Sequence, residues 1–171
     1  MSEREGPDRV AIIRDWWRQH IEPRDDGDAD RGRRSSARAL SARLRRAGTV
    51  EALVQPEVHA LSRNLGFGHG AADRLAGLAR VLAHVRAHDS HTLAARMSGD
   101  AAGDLRFQRL VRATPEELPD LVIRVLPMIE NACHVGWLGR DLLDWSDRTR
   151  ARWCFDYFDE RQDIGSGEDK T

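Results

Sequence analysis

Residues 71–88 read AADRLAGLARVLAHVRAH, and this stretch decides the fold class. Leu75, Leu78, Leu82 and Val85 recur at three- and four-residue intervals, which places them on one stripe of a helix over 71–88. The same period extends outward in both directions. No run alternates apolar and polar residues, and no β-hairpin dipeptide interrupts the pattern. The reading is all-α: a helical bundle in two small lobes, without a β-sheet.

Upstream, a first helix is expected after Pro7-Asp8, ending at Glu22-Pro23. Val10, Ile13, Trp17 and Ile21 share one stripe, with Trp16 beside it. Residues 23–35 (PRDDGDADRGRRS) read as a polar, mobile loop. A second helix is expected from 36 to 47. Its Ala37, Leu40, Leu44 and Ala47 span an arc of roughly 80° at about 100° per residue. Arg38 and Arg45 then coincide on one flank, while Arg43 and Arg46 lie on the outer faces. Gly48 is a C-cap candidate, and Pro56 opens a short helix through Val58, Leu61 and Leu65.

Downstream, Gly66-Phe67-Gly68-His69-Gly70 reads as a loop, with no strand before it to support a phosphate-binding or dinucleotide-binding turn. A small helix and a loop occupy 89–104, joining the lobes, and a basic helix covers 104–113. Thr114-Pro115-Glu116-Glu117 has the form of a capping box. Pro119 leaves the start of the following helix open between 115 and 119. Leu121, Val122, Val125, Leu126 and Ile129 supply its apolar face. In 137–158, Leu138, Leu142, Trp145 and Trp153 share a stripe. The expected division is a disordered N-terminus over 1–8, lobes over 9–95 and 96–158, and a polar disordered tail over 159–171.

Charge carries the functional signal. The chain has a formal net charge of −1, yet Arg31–Arg46 holds seven arginines and no acid. These are Arg31, Arg33, Arg34, Arg38, Arg43, Arg45 and Arg46. By segment, the net charge is −4 over 1–30, +9 over 31–112 and −6 over 113–171. Arginine outnumbers lysine 26 to 1, a bias that base composition alone produces, so the clustering is what matters. A concentrated cationic stretch in a near-neutral protein is the footprint of a polyanion, most often nucleic acid.

A second row, Arg106, Arg109 and Arg112, follows one side of a helix, opposite Phe107, Leu110 and Val111. It suits successive phosphates, or a surface stripe paired with Asp104 or Glu116. A third group, Arg148, Arg150 and Arg152, lies among Asp141, Asp144, Asp147 and Asp156, where local ion pairs are expected. The five tryptophans fall mainly on apolar stripes and read as core rather than as a stacking surface. His84, His88 and His91 would share a helical face at zinc-ligand spacing only if the helix continued, and no HExxH pattern completes them. No metal and no cofactor is therefore assigned. No nucleophile motif or carboxylate pair in an apolar setting points to an enzyme. Cys133 and Cys154, without a CxxC, fit a reduced cytosolic protein. No signal peptide is visible, and no apolar run approaches the roughly 18 residues of a membrane span.

Taken in order, these elements resemble CasB, the small subunit of the type I-E CRISPR surveillance complex Cascade. The resemblance starts at Asp15-Trp16-Trp17-Arg18 and passes through a Gly-Arg loop to Ala42-Arg43-Leu44-Arg45-Arg46-Ala47. It continues through the Ala/Leu helix and Arg106-Phe107-Gln108-Arg109-Leu110-Val111-Arg112-Ala113. It closes with Leu142-Leu143-Asp144-Trp145, Arg152-Trp153 and Tyr157-Phe158. The resemblance implies a cytoplasmic, non-enzymatic, all-helical subunit of an antiviral ribonucleoprotein. Its partners would be guide RNA, the target and non-target DNA strands, the backbone and large subunits, and a second copy of itself. It carries over basic positions to Arg45, Arg46, Arg106, Arg109 and Arg112, and a C-terminal basic stretch to Arg148 and Arg150, where Asp147 departs from the pattern. Two other classes fit an arginine-rich helical chain: a transcriptional regulator reading duplex DNA through a twofold dimer, and a protein-binding adaptor without nucleic-acid affinity.

Overall fold

The computed structural model describes residues 8–23, 31–99 and 103–166. The expected disorder at 1–7 and 167–171 lies outside these residues, as does most of the 23–35 loop. Among the described residues, ten α-helices, two short 3-10 turns (His69–Ala71 and Leu126–Ile129) and one pair of two-residue strands make up the regular structure. No helix among them is long and apolar enough to cross a membrane.

Helix α1 (Arg9–His20) begins where the sequence places it, because Asp8 Oδ1 accepts from the Val10 and Ala11 amides at 3.1 and 3.3 Å. It buries Ile13, Trp16 and Trp17. The two indoles are anchored as well as packed: Trp16 Nε1 donates to the Glu57 carbonyl at 2.8 Å and Trp17 Nε1 to the Val85 carbonyl at 3.1 Å. The other face of α1 meets α9 (Val135–Leu143) at close range. A Cβ added at Gly136 would stand 2.6 Å from the Val10 carbonyl oxygen, and one at Gly139 would stand 2.5 Å from Ile13 Cγ2. Two glycines thus set how nearly these helices approach.

Helix α2 (Arg31–Arg46) starts five residues before the expected 36, so the basic run is helical from its first arginine. A short α3 (Thr49–Leu53) and α4 (Pro56–Leu65) follow, and Gly66 closes α4 in the left-handed conformation at φ 71°. The central α5 (Ala72–Leu82) buries Leu75, Leu78 and Leu82 and packs against α3, α8 and α9.

Helix α5 ends at Leu82, not at 88. The reason lies outside its own sequence. Glu130 and Asn131 both take positive φ, 60° and 55°, and turn the chain so that residues 131–133 run beside 86–89. The Arg86 amide donates to the Asn131 carbonyl at 2.8 Å. Strands β1 (Ala87–His88) and β2 (Ala132–Cys133) then pair in parallel, Ala87 with Ala132 and His88 with Cys133. The fold remains all-α, and this is its one sheet among the described residues. The helical spacing of His84, His88 and His91 is lost in the process. His91 instead bonds Asp89, its ring Nδ1 lying 2.7 Å from Oδ1.

Beyond α6 (Leu93–Met97), α7 (Gly103–Val111) leads into the capping box. The Glu117 amide donates to Thr114 Oγ1 at 3.3 Å, and the Thr114 amide donates to Glu117 Oε2 at 3.1 Å. Helix α8 (Leu118–Val125) follows directly. The 137–158 stripe divides between α9 and α10 (Asp147–Ser166), which runs on past Asp159, where the polar tail was expected to begin. One buried cluster joins residues from all ten helices, α1 through α10. Leu93, Ala94 and Met97 of the 89–103 interval belong to it.

Candidate nucleic-acid interface

Helix α2 is held by one narrow edge. Leu40, Ser41 and Leu44 are its buried residues, and it contacts α1, α3 and α5. Most of the rest of it faces outward, including six of the seven arginines. Arg31, Arg33, Arg38, Arg43, Arg45 and Arg46 are exposed, and Arg34 is half-buried. Arg43 and Arg45 are tied by hydrogen bonds to uncharged groups, which leave their charge free. Arg43 Nε donates to Gln55 Oε1 at 3.0 Å. Arg45 Nε donates to the Ala83 carbonyl at 2.9 Å, at the C-terminal end of α5, where a cation is favoured. Arg38 and Arg46 make no ion pair among the described residues.

The fold adds an arginine to this face. Arg86, just past the early end of α5, lines a groove with Arg34, Arg38 and Arg45, closed at one side by Glu22 and Val85. The volume is about 320 Å³. Partial burial, and then the neighbouring Arg86 charge, lower the Arg45 pKa from its ordinary value. Burial, Arg45 and Arg80 likewise hold His84 below its usual range. No local signal marks Arg86, because its position depends on where α5 stops.

The α7 row also gains a member. Arg109 and Arg112 line a second groove, about 440 Å³, in which Arg124 of α8 joins them beside Leu105 and Leu121. Arg106 and Arg109 also share a smaller recess with Arg124, while Arg106 Nη1 donates to Met128 Sδ at 3.2 Å. Three of the carboxylates nearby are engaged in other contacts. Asp120 pairs with Arg80 at 2.9 Å, Glu117 caps α8, and Asp104 accepts from the Tyr157 hydroxyl. The amphipathic pattern of α8 was the available signal for Arg124: Val122 and Val125 point inward, which leaves Arg124 outside.

The third group is different in kind. Arg150 donates to Asp147 at 3.2 Å and to the Ala113 carbonyl at 3.1 Å, and its guanidinium lies 5.5 Å from the centre of the Trp145 ring. Arg152 and Arg140 both bond the buried Asp141, which also accepts from Trp153 Nε1 at 2.7 Å. Only Arg148 stays exposed without an ion pair among the described residues, and neither Arg148 nor Arg150 lines either groove.

Trp16, Trp17, Trp145 and Trp153 are buried, and Trp137 stacks on His134 at 3.7 Å. Among the described residues the large exposed aromatics are Phe155 and Phe158 on α10, which lie off the Leu138–Leu142–Trp145–Trp153 stripe. No group of three or more His, Cys, Asp or Glu residues is placed to hold a metal ion among the described residues.

Guanidinium groups arranged this way offer charge-assisted, bidentate donors to phosphate oxygens and carry no base-reading element with them. The family model described as CRISPR-associated protein Cse2 matches residues 35–158. Neither a curated protein nor a solved structure matches the chain.

Proposed function

The chain belongs to the Cse2 family, the small subunit (CasB) of the type I-E CRISPR Cascade complex, and from that premise we propose that it is a non-catalytic subunit that grips nucleic-acid backbone without regard to sequence. The observation that carries this reading is α2, whose sixteen residues hold seven arginines and no acid while only Leu40, Ser41 and Leu44 are buried. Arg38, Arg43, Arg45 and Arg46 on this helix repel one another until an anion neutralises them, and a phosphate chain does so by releasing its condensed counterions. The α7 row, with Arg124 added, supplies a second contact, and Arg148 a minor one. In this role the subunit steadies guide RNA and target strand, and it holds the displaced strand beside them. It sits among the backbone and large subunits and pairs with a second copy.

The test is binding of the purified protein to unrelated single-stranded DNA, duplex DNA and RNA across a salt series. The expected result is affinity indifferent to sequence and falling steeply with salt, at about −0.7 log units per phosphate contact on a single strand. Affinity that follows base sequence would overturn the reading.

A further inference from the structure

Helix α10 is apolar on two opposite sides. Trp153 and Tyr157 are buried on the side that packs against α6 and α7. Half a turn away, Arg148, Ala151, Phe155 and Phe158 are all exposed, the two rings by 68% and 53%. At roughly 100° per residue these four fall within an arc of about 80° centred opposite Trp153. They alternate between three-residue and four-residue steps, the spacing of a seam by which one helix packs on another. Single exposed apolar residues are ordinary on a protein surface, but a helix with apolar stripes on both sides normally has both covered. The stripe carries an exposed cation at one end, Arg148, and an exposed anion beside its other end, Asp159. About 20° separates the two around the helix axis, so they share one flank.

This stripe complements itself. A second α10 laid antiparallel, with a twofold axis near Trp153, brings the small Ala151 opposite Phe155 of the second copy, which leaves space for the ring. It brings Arg148 opposite Phe158 and Asp159 of the second copy, where both a ring face and a carboxylate favour a cation. The twofold axis repeats each of these contacts once. A parallel pair would set Arg148 against Arg148 and Asp159 against Asp159, and like charges repel.

We infer that the outer face of α10 is a self-pairing seam, in which Arg148, Ala151, Phe155 and Phe158 meet the same helix, run antiparallel, of a second copy. The inference gives a surface to the pairing proposed above and rests on that pairing. It does not rest on the backbone grip of α2. Two crossed helices bury on the order of 1,000 Å², at the low end for specific interfaces, so the free pair is expected to be weak, with a Kd of about 10–100 µM. In the paired state Arg148 is taken up by the seam and leaves the nucleic-acid contacts to α2 and the α7 row.

Sedimentation equilibrium of the full chain from about 5 to about 500 µM reads the pairing, and circular dichroism checks that each variant is folded. Phe155→Asp is expected to weaken the pair by roughly tenfold or more. Arg148→Glu and Asp159→Arg are each expected to weaken it by about threefold, because like charges then meet at both contacts. An equimolar mixture of these two variants is expected to pair as strongly as the unaltered chain, since opposite charges meet at both contacts of the mixed pair. That recovery is specific to the antiparallel arrangement. If the chain stays monomeric throughout, the seam and the pairing both fail, while the backbone grip is judged separately by oligonucleotide binding. If Phe155→Asp pairs as well as the unaltered chain, the pairing stands and the seam is wrong. If Phe155→Asp weakens the pair but the mixture does not recover, the antiparallel match is wrong, and the face meets another part of the second copy, such as the exposed Val50 and Val54 of α3. If Phe155→Asp lowers oligonucleotide affinity at protein concentrations far below that Kd, the face meets nucleic acid and the seam is again wrong.

Discussion

Helices α2 and α10 are both rich in arginine, and they use it in opposite ways. On α2, Arg38 and Arg46 make no ion pair among the described residues, and the partners of Arg43 and Arg45 are a neutral amide and a carbonyl. At the start of α10, Arg150 and Arg152 are spent inside the molecule, on Asp147, Asp141 and the Ala113 carbonyl. The number of arginines does not separate the two regions. What separates them is whether the fold brings a carboxylate within reach. Asp141, buried on α9, captures two guanidiniums from different helices and makes a structural staple of them. Among the described residues no buried carboxylate bonds Arg38, Arg43, Arg45 or Arg46, so the charge of these four is left for a ligand.

The comparison is broken most forcefully at the staple. Asp141→Ala strips the buried acceptor from Arg140, Arg152 and Trp153, and leaves the Trp153 indole N–H in the core without a partner. It is expected to cost about 3 kcal/mol, with a melting temperature lower by on the order of 10 °C. Thermal denaturation checks this, while oligonucleotide affinity of the folded fraction should not change. An unaltered melting temperature would remove the distinction between the two helices.

A somewhat smaller effect is expected from pH, at the start of α9. His134 Nδ1 accepts from the Trp137 amide at 3.1 Å, and His88 Nδ1 accepts from the Val135 amide at 3.3 Å, so both rings serve as neutral acceptors. Burial, then His88 and Arg14, lower the His134 pKa to about 4. Arg140 acts in the same direction, and the residue's own backbone hydrogen bond opposes the shift. Because the native value lies below the unfolded one, stability is fully present above about pH 6.5. It declines as pH falls toward 4, by about 2 kcal/mol. Denaturant titrations at several pH values read this directly. His134→Asn, which keeps a capping acceptor, should flatten the profile.

The opposite expectation applies to α2. Replacing Arg38 and Arg46 together by Gln should leave stability within about 0.5 kcal/mol. It should reduce the salt slope of oligonucleotide binding by about one unit per arginine, equally for every sequence. The smallest effect belongs to Arg150→Gln: no change in affinity, and at most about 1 kcal/mol of stability, since its ion-pair partner Asp147 is exposed. A large loss of affinity at Arg150 would mean that the staple region also meets the ligand.

The helical elements were legible because their causes are local. Asp8 caps α1, Pro56 opens α4, and Thr114 with Glu117 forms the box that precedes α8. The end of α5 was not legible. Its sequence continues to favour helix through Val85, and what stops it is a turn at Glu130-Asn131 with which 86–89 pair. That long-range event also undoes the histidine spacing and delivers Arg86 to the groove. The arginine run of the candidate interface was plain in the sequence. Its enclosure was not, because Arg86 and Arg124 come from other helices' neighbourhoods. Which arginines are spent internally follows from the position of Asp141, and the density of nearby acids in the sequence hinted at it.

The two glycines at the crossing of α1 and α9 have a bearing on how the chain is born. The close-fitting surface of α1 leaves the ribosome more than a hundred residues ahead of Gly136 and Gly139. At about 5–20 residues per second, the first helix waits on the order of ten seconds for that surface. Trp16 and Trp17 can meet Glu57 and Val85 sooner, so early fragments have a partial home for the indoles, but the fit is completed only once α9 has been made. A shortened transcript ending before α9 would therefore release a chain with an open apolar seam, and its fate would be aggregation or proteolysis rather than a half-sized working subunit.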